Sequence, residues 1–206
     1  YDSMLSNFPP TSKYTSIAET GRVTRGFYKE RFIISLPDGI EALDTHQQDF
    51  WIELTSWLLG NDLLKLLVDK FRPFIAERFS GSQAKKTSLE PTALLIRDFQ
   101  NYAISPHPDA PHRLLALMFY MPHDNSTPHI GTSIYRPIDS NPKFEVETGG
   151  HYPRESFKEV KRMDYLPNSF YGFFRTDNSF HGVELVEEPV ERNSLLYYIR
   201  VKETDS

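Results

Sequence analysis

Residues Ala93–Met121 read ALLIRDFQNYAISPHPDAPHRLLALMFYM. Three apolar and aromatic runs, over 93–99, 101–107 and 113–121, are separated here by turn residues and prolines. Short apolar runs bounded in this way are typical of β-strands. The middle of the chain is therefore predicted to be β, and the polar segment His107-Pro108-Asp109 is predicted to end its second strand.

The same pattern continues towards the end of the sequence. Further strands are predicted over 132–136, 143–147, 168–175, 179–185 and 193–201. About eight short strands without helical patterns between them argue against an alternating α/β sheet. They favour a β-sandwich or a double-sheet jelly roll.

The first part of the chain has a different pattern. Residues 1–20 are predicted to be an extended arm or loop, and one or two strands are predicted within 22–36. Apolar residues then recur at helical spacing. Helices are predicted from about 47 to 60, from a cap at Asn61 or Asp62 to about 71, and over 74–79 beyond Pro73. These helices are expected to cover one outer face of the sheets.

The composition limits the class of protein. A chain of 206 residues with 39% hydrophobic and 14% aromatic residues is sufficient for a packed globular fold. Its net charge of −5 gives no basic field for a nucleic-acid partner. No apolar run reaches the roughly 18 residues of a membrane span. The absence of Cys excludes disulfides and thiolate chemistry, and fits a cytoplasmic location.

His107-Pro108-Asp109 is the first candidate site. Residues two apart in a strand point to the same side, so His107 and Asp109 are expected to converge on one ion. Pro106 and Pro108 lack amide donors, which predicts a strand end at the rim of a sheet. A His-x-acid triplet is expected about once by chance among 206 residues with 7 His and 28 acidic residues. The triplet therefore requires partners elsewhere in the chain.

Two later segments supply those partners. Glu187-Glu188-Pro189 is predicted to form a turn, which would place His181 and Arg192 opposite each other in a hairpin. Opposed residues lie roughly 5 Å apart at Cβ. The Arg192 guanidinium would then extend past a metal to bind a carboxylate by two hydrogen bonds. Ser194, two residues along, would face the same way.

Taken together, these motifs resemble those of the Fe(II)/2-oxoglutarate-dependent oxygenases. The resemblance consists of His107-x-Asp109, His181 about seventy residues later and Arg192-x-Ser194 beyond it. The stretches 113–122, 131–135 and 167–169 are similar to the small bacterial and phage members as well. The similarity covers roughly residues 93–201.

The resemblance implies a fold and a mechanism. The fold would be mainly β with N-terminal helices and a double-stranded β-helix core, a cupin-like jelly roll, in a single domain over 1–206. Helical support would occupy about 40–80, and the core about 93–201. His107, Asp109 and His181 would hold Fe(II), leaving positions for 2-oxoglutarate and O2. Arg192 and Ser194 would bind the 5-carboxylate of 2-oxoglutarate.

The resemblance also implies a reaction. The enzyme would hydroxylate an unactivated C–H bond of a small molecule or peptide side chain, with release of succinate and CO2. Tyr102 or Tyr120 would add a phenolic hydrogen bond to the cosubstrate. Because Asp109 is present where related halogenases have a small residue, hydroxylation or a variant such as desaturation is favoured.

Alternatives remain open on the sequence alone. The chain can be a jelly-roll binding module without catalysis, or a cupin-type metalloenzyme that does not use 2-oxoglutarate. His112 is a rival metal ligand, whereas His123, His129 and His151 are interpreted as surface or pocket-rim residues.

The substrate-binding residues are less defined. Arg136 and Arg175 are interpreted as exposed charges at strand ends, with a substrate anion as the alternative. Tyr135, Phe144 and Phe173 are candidate pocket residues, and the loops 123–131 and 148–165 are candidate lids.

Overall fold

The computed structural model of the chain describes residues 1–21, 28–80, 87–139 and 150–203. The described strands form two antiparallel sheets, one of six strands and one of four. Their bounds are β1 (Thr15–Ser16), β2 (Arg31–Leu36), β3 (Thr87–Asp98), β4 (Ile104–His107), β5 (Arg113–Tyr120), β6 (Ser133–Pro137), β7 (Phe157–Arg162), β8 (Ser169–Phe174), β9 (His181–Val183) and β10 (Arg192–Glu203).

The larger sheet has the strand order β1-β2-β3-β10-β5-β8. Its central strand β10 pairs with β3 and β5 on either side. Successive side chains of a strand point to opposite faces. Leu195 and Tyr197 therefore belong to one hydrophobic cluster, whereas Leu196 and Tyr198 belong to another on the opposite face.

Helices cover the first of these faces. They are α1 (Asp2–Ser6), α2 (Thr45–Leu58), α3 (Asn61–Lys70) and α4 (Arg72–Arg78). Trp51 and Leu58 of α2 are buried against Leu95 of β3 and Tyr197 of β10. The predicted cover of helices over one outer face is confirmed. None of the described helices is long and apolar enough to cross a membrane.

The smaller sheet, in the order β4-β9-β6-β7, faces the opposite side of the larger one. Val183 of β9 packs in one hydrophobic cluster with Tyr120 of β5 and Tyr171 of β8. Residues from both sheets therefore meet in a shared interior. This arrangement, mainly β with helices at the start, is the fold class predicted from the sequence.

Several local predictions are wrong. The segment 1–20 is not simply extended, because it contains α1, short 3-10 turns and β1. Neither Asn61 nor Asp62 caps α3, since the N-cap is Gly60 and no side-chain bond caps the helix. The predicted loop 148–165 contains β7, so that a lid of this length is excluded. The predicted strand 143–147 and the candidate pocket residue Phe144 lie outside the described residues.

The predicted hairpin between His181 and Arg192 is also wrong. His181 begins β9, which pairs with β4 and β6 in the smaller sheet. Arg192 begins β10 in the larger sheet, where its partner is Asp98. The two residues consequently approach the interior from different sheets, and not as opposed neighbours on one ladder.

Candidate active site

Three potential metal ligands meet at one end of the space between the sheets. One ligand atom from each of His107, Asp109 and His181 lies within 4.8 Å of the other two. His107 ends β4 and His181 begins β9, and these residues are direct partners in the antiparallel pair. Their rings lie with centroids 4.4 Å apart. The residues predicted from the sequence as ligands are thus brought together.

Both imidazole rings are held in the same way. His107 Nδ1 lies 2.9 Å from the carbonyl oxygen of Ser105, and His181 Nδ1 lies 3.0 Å from that of Ser179. Since a carbonyl oxygen only accepts, each Nδ1 donates its hydrogen. In the neutral ring Nε2 is then the nitrogen with the free lone pair, and the two Nε2 atoms face Asp109 at 3.6 Å and 4.0 Å. This tautomer is the one in which a histidine binds a metal through Nε2.

Asp109 reaches the site by an unexpected route. It lies beyond the end of β4 and has φ of +63°, in the left-handed region that Asp tolerates better than most residues. The predicted i, i+2 alternation within a strand is therefore wrong, although its consequence, convergence with His107, is correct. Buried Arg175 donates to the Asp109 carbonyl oxygen at 3.3 Å and holds this backbone in place.

The charges around the triad favour a charged Asp109 carboxylate and a neutral His181 imidazole. Burial alone would raise the pKa of Asp109, but Arg113, His107 and His181 together hold that pKa well below its usual range. Arg113 donates to Asp109 Oδ1 at 2.8 Å. Burial, and then the proximity of His107, lower the pKa of His181 to about 4. Asp109 is consequently anionic and His181 neutral near pH 7, as metal ligation requires.

A narrow cavity of about 60 Å³, the inner cavity, leads from the triad between the sheets. Its walls are Arg31, Ile104, Arg113, Ala116, Met118, Thr132, Tyr171, Phe173, Gly182, Val183, Arg192 and Leu196 in addition to the triad. Arg192 therefore lies in the same cavity as the three candidate ligands, although no hairpin brings it there. The candidate pocket residue Phe173 lines the cavity as well.

Arg192 is part of a buried ionic cluster. Its Nη1 donates to Asp98 Oδ2 at 2.8 Å, and its Nε donates to the carbonyl oxygen of Ile130 at 2.7 Å. Asp98 also accepts two hydrogen bonds from Arg31, at 2.7 Å and 2.9 Å. Two guanidiniums and one carboxylate leave a net charge of +1. The sequence prediction did not include Asp98 and Arg31, because the sequence of an apolar strand does not show which distant residue will pair with its charged side chain.

The other predicted cosubstrate residues surround this cluster. The hydroxyls of Ser194 and Tyr102 are completely buried and have no hydrogen-bond partner among the described residues. Ser194 lies two residues from Arg192 on the same face of β10. Tyr102 stacks under the Arg31 guanidinium, 4.3 Å from its ring centroid. The Tyr120 hydroxyl instead accepts a hydrogen bond from the Thr132 amide at 2.8 Å.

The remaining histidines are outside the triad. His112 is exposed and lines a separate surface pocket, so the rival ligand is not supported. His129 pairs with Glu188, and His123 is exposed in its loop. His151 stacks on His107 with centroids 4.4 Å apart, which confirms a position at the rim of the pocket.

Two other predictions are settled by burial. Arg136 is an exposed residue near the end of its strand, as expected, but Arg175 is buried and pairs with Asp177 at 2.7 Å. Tyr135 is buried with Phe157 and Phe180 in a separate cluster and bonds Glu184, so it is a core residue and does not line the inner cavity.

Comparisons with known proteins identify the fold. No protein-family model and no curated protein matches the sequence. The dioxygenase for auxin oxidation 1 from Arabidopsis thaliana, solved with 2-oxoglutarate, has 10% identity and a TM-score of 0.52 over 100% of this chain and 80% of its own. A prolyl hydroxylase from Trichoplax adhaerens, solved with a hypoxia inducible factor peptide, has 11% identity and a TM-score of 0.51 over 96% and 75%.

A prolyl-4-hydroxylase from Pseudomonas putida is a more distant match, with 15% identity and a TM-score of 0.43 over 82% of this chain and 71% of its own. At such identities a structural likeness establishes the fold alone. The jelly roll of the Fe(II)/2-oxoglutarate-dependent oxygenases, predicted from the sequence motifs, is thereby confirmed as the fold of this chain.

Proposed function

We propose that the protein is an Fe(II)- and 2-oxoglutarate-dependent dioxygenase. The observation that carries this proposal is the shared cavity. His107, Asp109 and His181 lie at one end of it, and Arg192 lies in the same cavity. A molecule that chelates a metal at one end and carries a carboxylate at the other matches this arrangement.

The donor set fits iron in its reduced state. Two imidazoles and one carboxylate bind Fe(II) on one face and leave positions open for further ligands. Both rings are fixed by backbone carbonyls with Nε2 facing Asp109, so binding requires little reorganisation. His107, Asp109 and His181 would hold the metal.

The cationic end of the cavity fits the distal carboxylate of 2-oxoglutarate. The cluster of Arg31, Asp98 and Arg192 carries a net charge of +1 where the side chains are almost completely buried. One further carboxylate would neutralise it. Ser194 and Tyr102 do not line the inner cavity, but their buried hydroxyls have no hydrogen-bond partner among the described residues and would serve as donors to that anion. We assign the 5-carboxylate to Arg192 and Ser194, with Tyr102 preferred to Tyr120 as the phenolic donor.

The chain's own residues would contribute placement and electrostatics. When bound, Fe(II) with 2-oxoglutarate and O2 supplies oxidising power for an unactivated C–H bond, with release of succinate and CO2. Arg113 holds the carboxylate of Asp109 in its charged form. Phe173 and Val183 exclude water from the cavity walls. We propose hydroxylation of a small molecule or a peptide side chain as the outcome.

One observation favours a rival function. Arg192 already donates to Asp98 and to the Ile130 carbonyl, as in a purely structural cluster. A cupin-type metalloenzyme without 2-oxoglutarate would need no more. The net charge of +1 supports the first proposal instead. We further propose a single oxygenase domain over 1–206, located in the cytoplasm and without a nucleic-acid or membrane partner.

The test is a visible charge-transfer band. Anaerobic protein with Fe(II) and 2-oxoglutarate should give this band, and His181→Ala should abolish it. Arg192→Ala should raise the concentration of 2-oxoglutarate required while Fe(II) still binds. Folded, iron-loaded protein without the band would contradict the function and favour the rival.

A further inference from the structure

A second cavity adjoins the metal triad on the side away from β9. This side cavity has a volume of about 260 Å³. It is lined by Ile17, Tyr28, Arg31, Ile33, Leu94, Ile96, Ile104, His107, Asp109, Ala110, Arg113, His151 and Leu196. Six residues line both cavities, whereas Arg192 and His181 line the inner cavity alone; the shared residues are Arg31, Ile104, His107, Asp109, Arg113 and Leu196. A molecule in the side cavity would touch the metal site and leave to the cosubstrate the part of the inner cavity that Arg192 and His181 line.

The wall of the side cavity that belongs to the larger sheet is aliphatic. Ile33 of β2, Leu94 and Ile96 of β3 and Leu196 of β10 are all buried and belong to the cluster that faces away from the helices. Ile17 packs on this cluster from a short 3-10 helix near the N-terminus. Such a surface binds hydrocarbon by the removal of apolar area from water.

The charges at the end of the side cavity near the metal ligands are mostly positive. Asp109 is the one carboxylate among the residues that line it. Arg31 and Arg113 are both cationic, and Arg31 shares Asp98 with a second arginine. Since Asp109 would also bind the metal, its negative charge would be shared between the metal and Arg113.

Arg113 is fixed in place for binding. Its Nη1 donates to Asp109 Oδ1 at 2.8 Å, and its guanidinium lies 4.6 Å from the centroid of the Tyr198 ring. The side chain is 28% exposed. Among the described residues the guanidinium donates no other hydrogen bond, so donors remain for a ligand. A planar guanidinium held in this way suits a carboxylate.

We propose that the side cavity binds the primary substrate, and that this substrate is a small carboxylic acid with a hydrocarbon body whose carboxylate pairs with Arg113. The hydrocarbon would lie on Ile33, Leu94, Ile96 and Leu196, with a C–H bond directed to the metal triad. The assignment of this cavity to a substrate rests on the proposed function. The chemistry of the ligand rests on the cavity's own residues.

The test compares hexanoate with hexanamide, which share a carbon skeleton and differ in charge. Binding is measured by ligand-observed NMR on the whole chain, first without metal and then with Mn(II) and saturating 2-oxoglutarate. Hexanoate should bind at least about tenfold more tightly than hexanamide because of the charge-assisted bond. Arg113→Gln should remove this difference, and Arg113→Lys should restore part of it.

A second variant tests the location. Ile17→Trp adds bulk to the side cavity from a partly exposed position and leaves the triad residues unchanged in sequence, and it should weaken the binding of both probes by about tenfold or more. Leu66→Trp, at an exposed position on α3, is the matched control and should have no effect. Displacement of hexanoate by 2-oxoglutarate, equal binding of acid and amide, or normal binding by Ile17→Trp would each overturn the proposal. Loss of Mn(II) or 2-oxoglutarate binding would instead count against the proposed function, because the metal-free comparison still reports on the cavity.

Discussion

Arg192 donates a hydrogen bond to Asp98 at 2.8 Å, and both side chains are completely buried. Asp98 thereby fixes the direction of the guanidinium that faces the inner cavity. Because Asp98 is shared with Arg31, it neutralises only one of two positive charges. The relationship therefore orients Arg192 and still leaves a charge for a bound carboxylate.

Arg31→Gln should weaken the binding of 2-oxoglutarate. The substitution changes the net charge of the cluster from +1 to zero while Arg192 keeps its bond to Asp98. Affinity should fall by about tenfold to a hundredfold, the worth of one buried charge-assisted interaction. Anaerobic titration of the iron-loaded protein with 2-oxoglutarate measures this change.

The controls separate charge from packing. Arg31→Lys keeps the positive charge and should recover part of the affinity. Arg200→Gln removes an arginine that is 41% exposed and paired with Glu90, and should leave the affinity unchanged. If Arg31→Gln binds 2-oxoglutarate as tightly as the natural sequence, the cluster does not provide the anion site.

Asp98→Asn should destabilise the fold. The two guanidiniums of Arg31 and Arg192 would lose their shared counterion in the interior. Removing one partner of a buried ion pair typically costs about 3–5 kcal/mol. Urea unfolding measures this loss, and Asp69→Asn at an exposed pair with Arg72 should cost less than about 1 kcal/mol. Equal stability of the two variants would contradict the role of Asp98.

The strands that the sequence predicts correctly are those with apolar runs. β3, β5 and β10 each place two hydrophobic faces in contact with other layers, so both faces carry apolar residues. The strand β7 was missed because its sequence, FKEVKR, is largely charged and lies half exposed at the edge of the smaller sheet. Edge strands commonly carry charged residues that prevent further pairing, and such a segment resembles a loop in its composition.

The arrangement of the candidate site could be predicted only in part, because some of its contacts join residues that are distant in the sequence. His107, Asp109 and His181 form a recognisable order in the chain, and their convergence follows. The choice of sheet for β10 does not follow from local sequence, since a turn after residue 186 is compatible with a hairpin or with a crossing between sheets. Asp98 and Arg31 were missed because they lie on different strands and are 67 residues apart in the sequence.

Gly182→Ala should weaken metal binding although every ligand is retained. A Cβ at this position would overlap the carbonyl oxygen of Ile104 and lie 3.2 Å from that of Ser105. Because these atoms belong to β4, the strands that carry His107 and His181 would be forced apart. Fe(II) affinity should fall by about tenfold or more, as for other changes that displace ligands.

Val183→Ala is the matched control for this change. It removes methyl groups from the same strand without inserting an atom between β4 and β9, so the distance between the histidines is kept. Competition with a chromogenic chelator measures both affinities under anaerobic conditions. Normal Fe(II) binding by folded Gly182→Ala would show that the site tolerates a change in strand separation.

The stability of the metal-free protein should fall between pH 6.5 and pH 4 because of His181. Burial, followed by the proximity of His107, lowers the pKa of His181 to about 4 from its ordinary value of 6.5. The unfolded chain therefore binds a proton in this interval that the folded chain does not, so acidification favours unfolding. One such proton corresponds to a slope of about 1.4 kcal/mol per pH unit at most. His151, whose pKa is also lowered to about 4 by burial and by His107, acts in the same direction.

Urea unfolding of the metal-free protein at pH 7 and pH 5 should thus show a smaller loss of stability for His181→Gln than for the natural sequence. The exposed His46→Gln variant, on α2, should lose as much as the natural sequence, and an unchanged pH dependence in His181→Gln would mean that His181 is not held neutral by the fold.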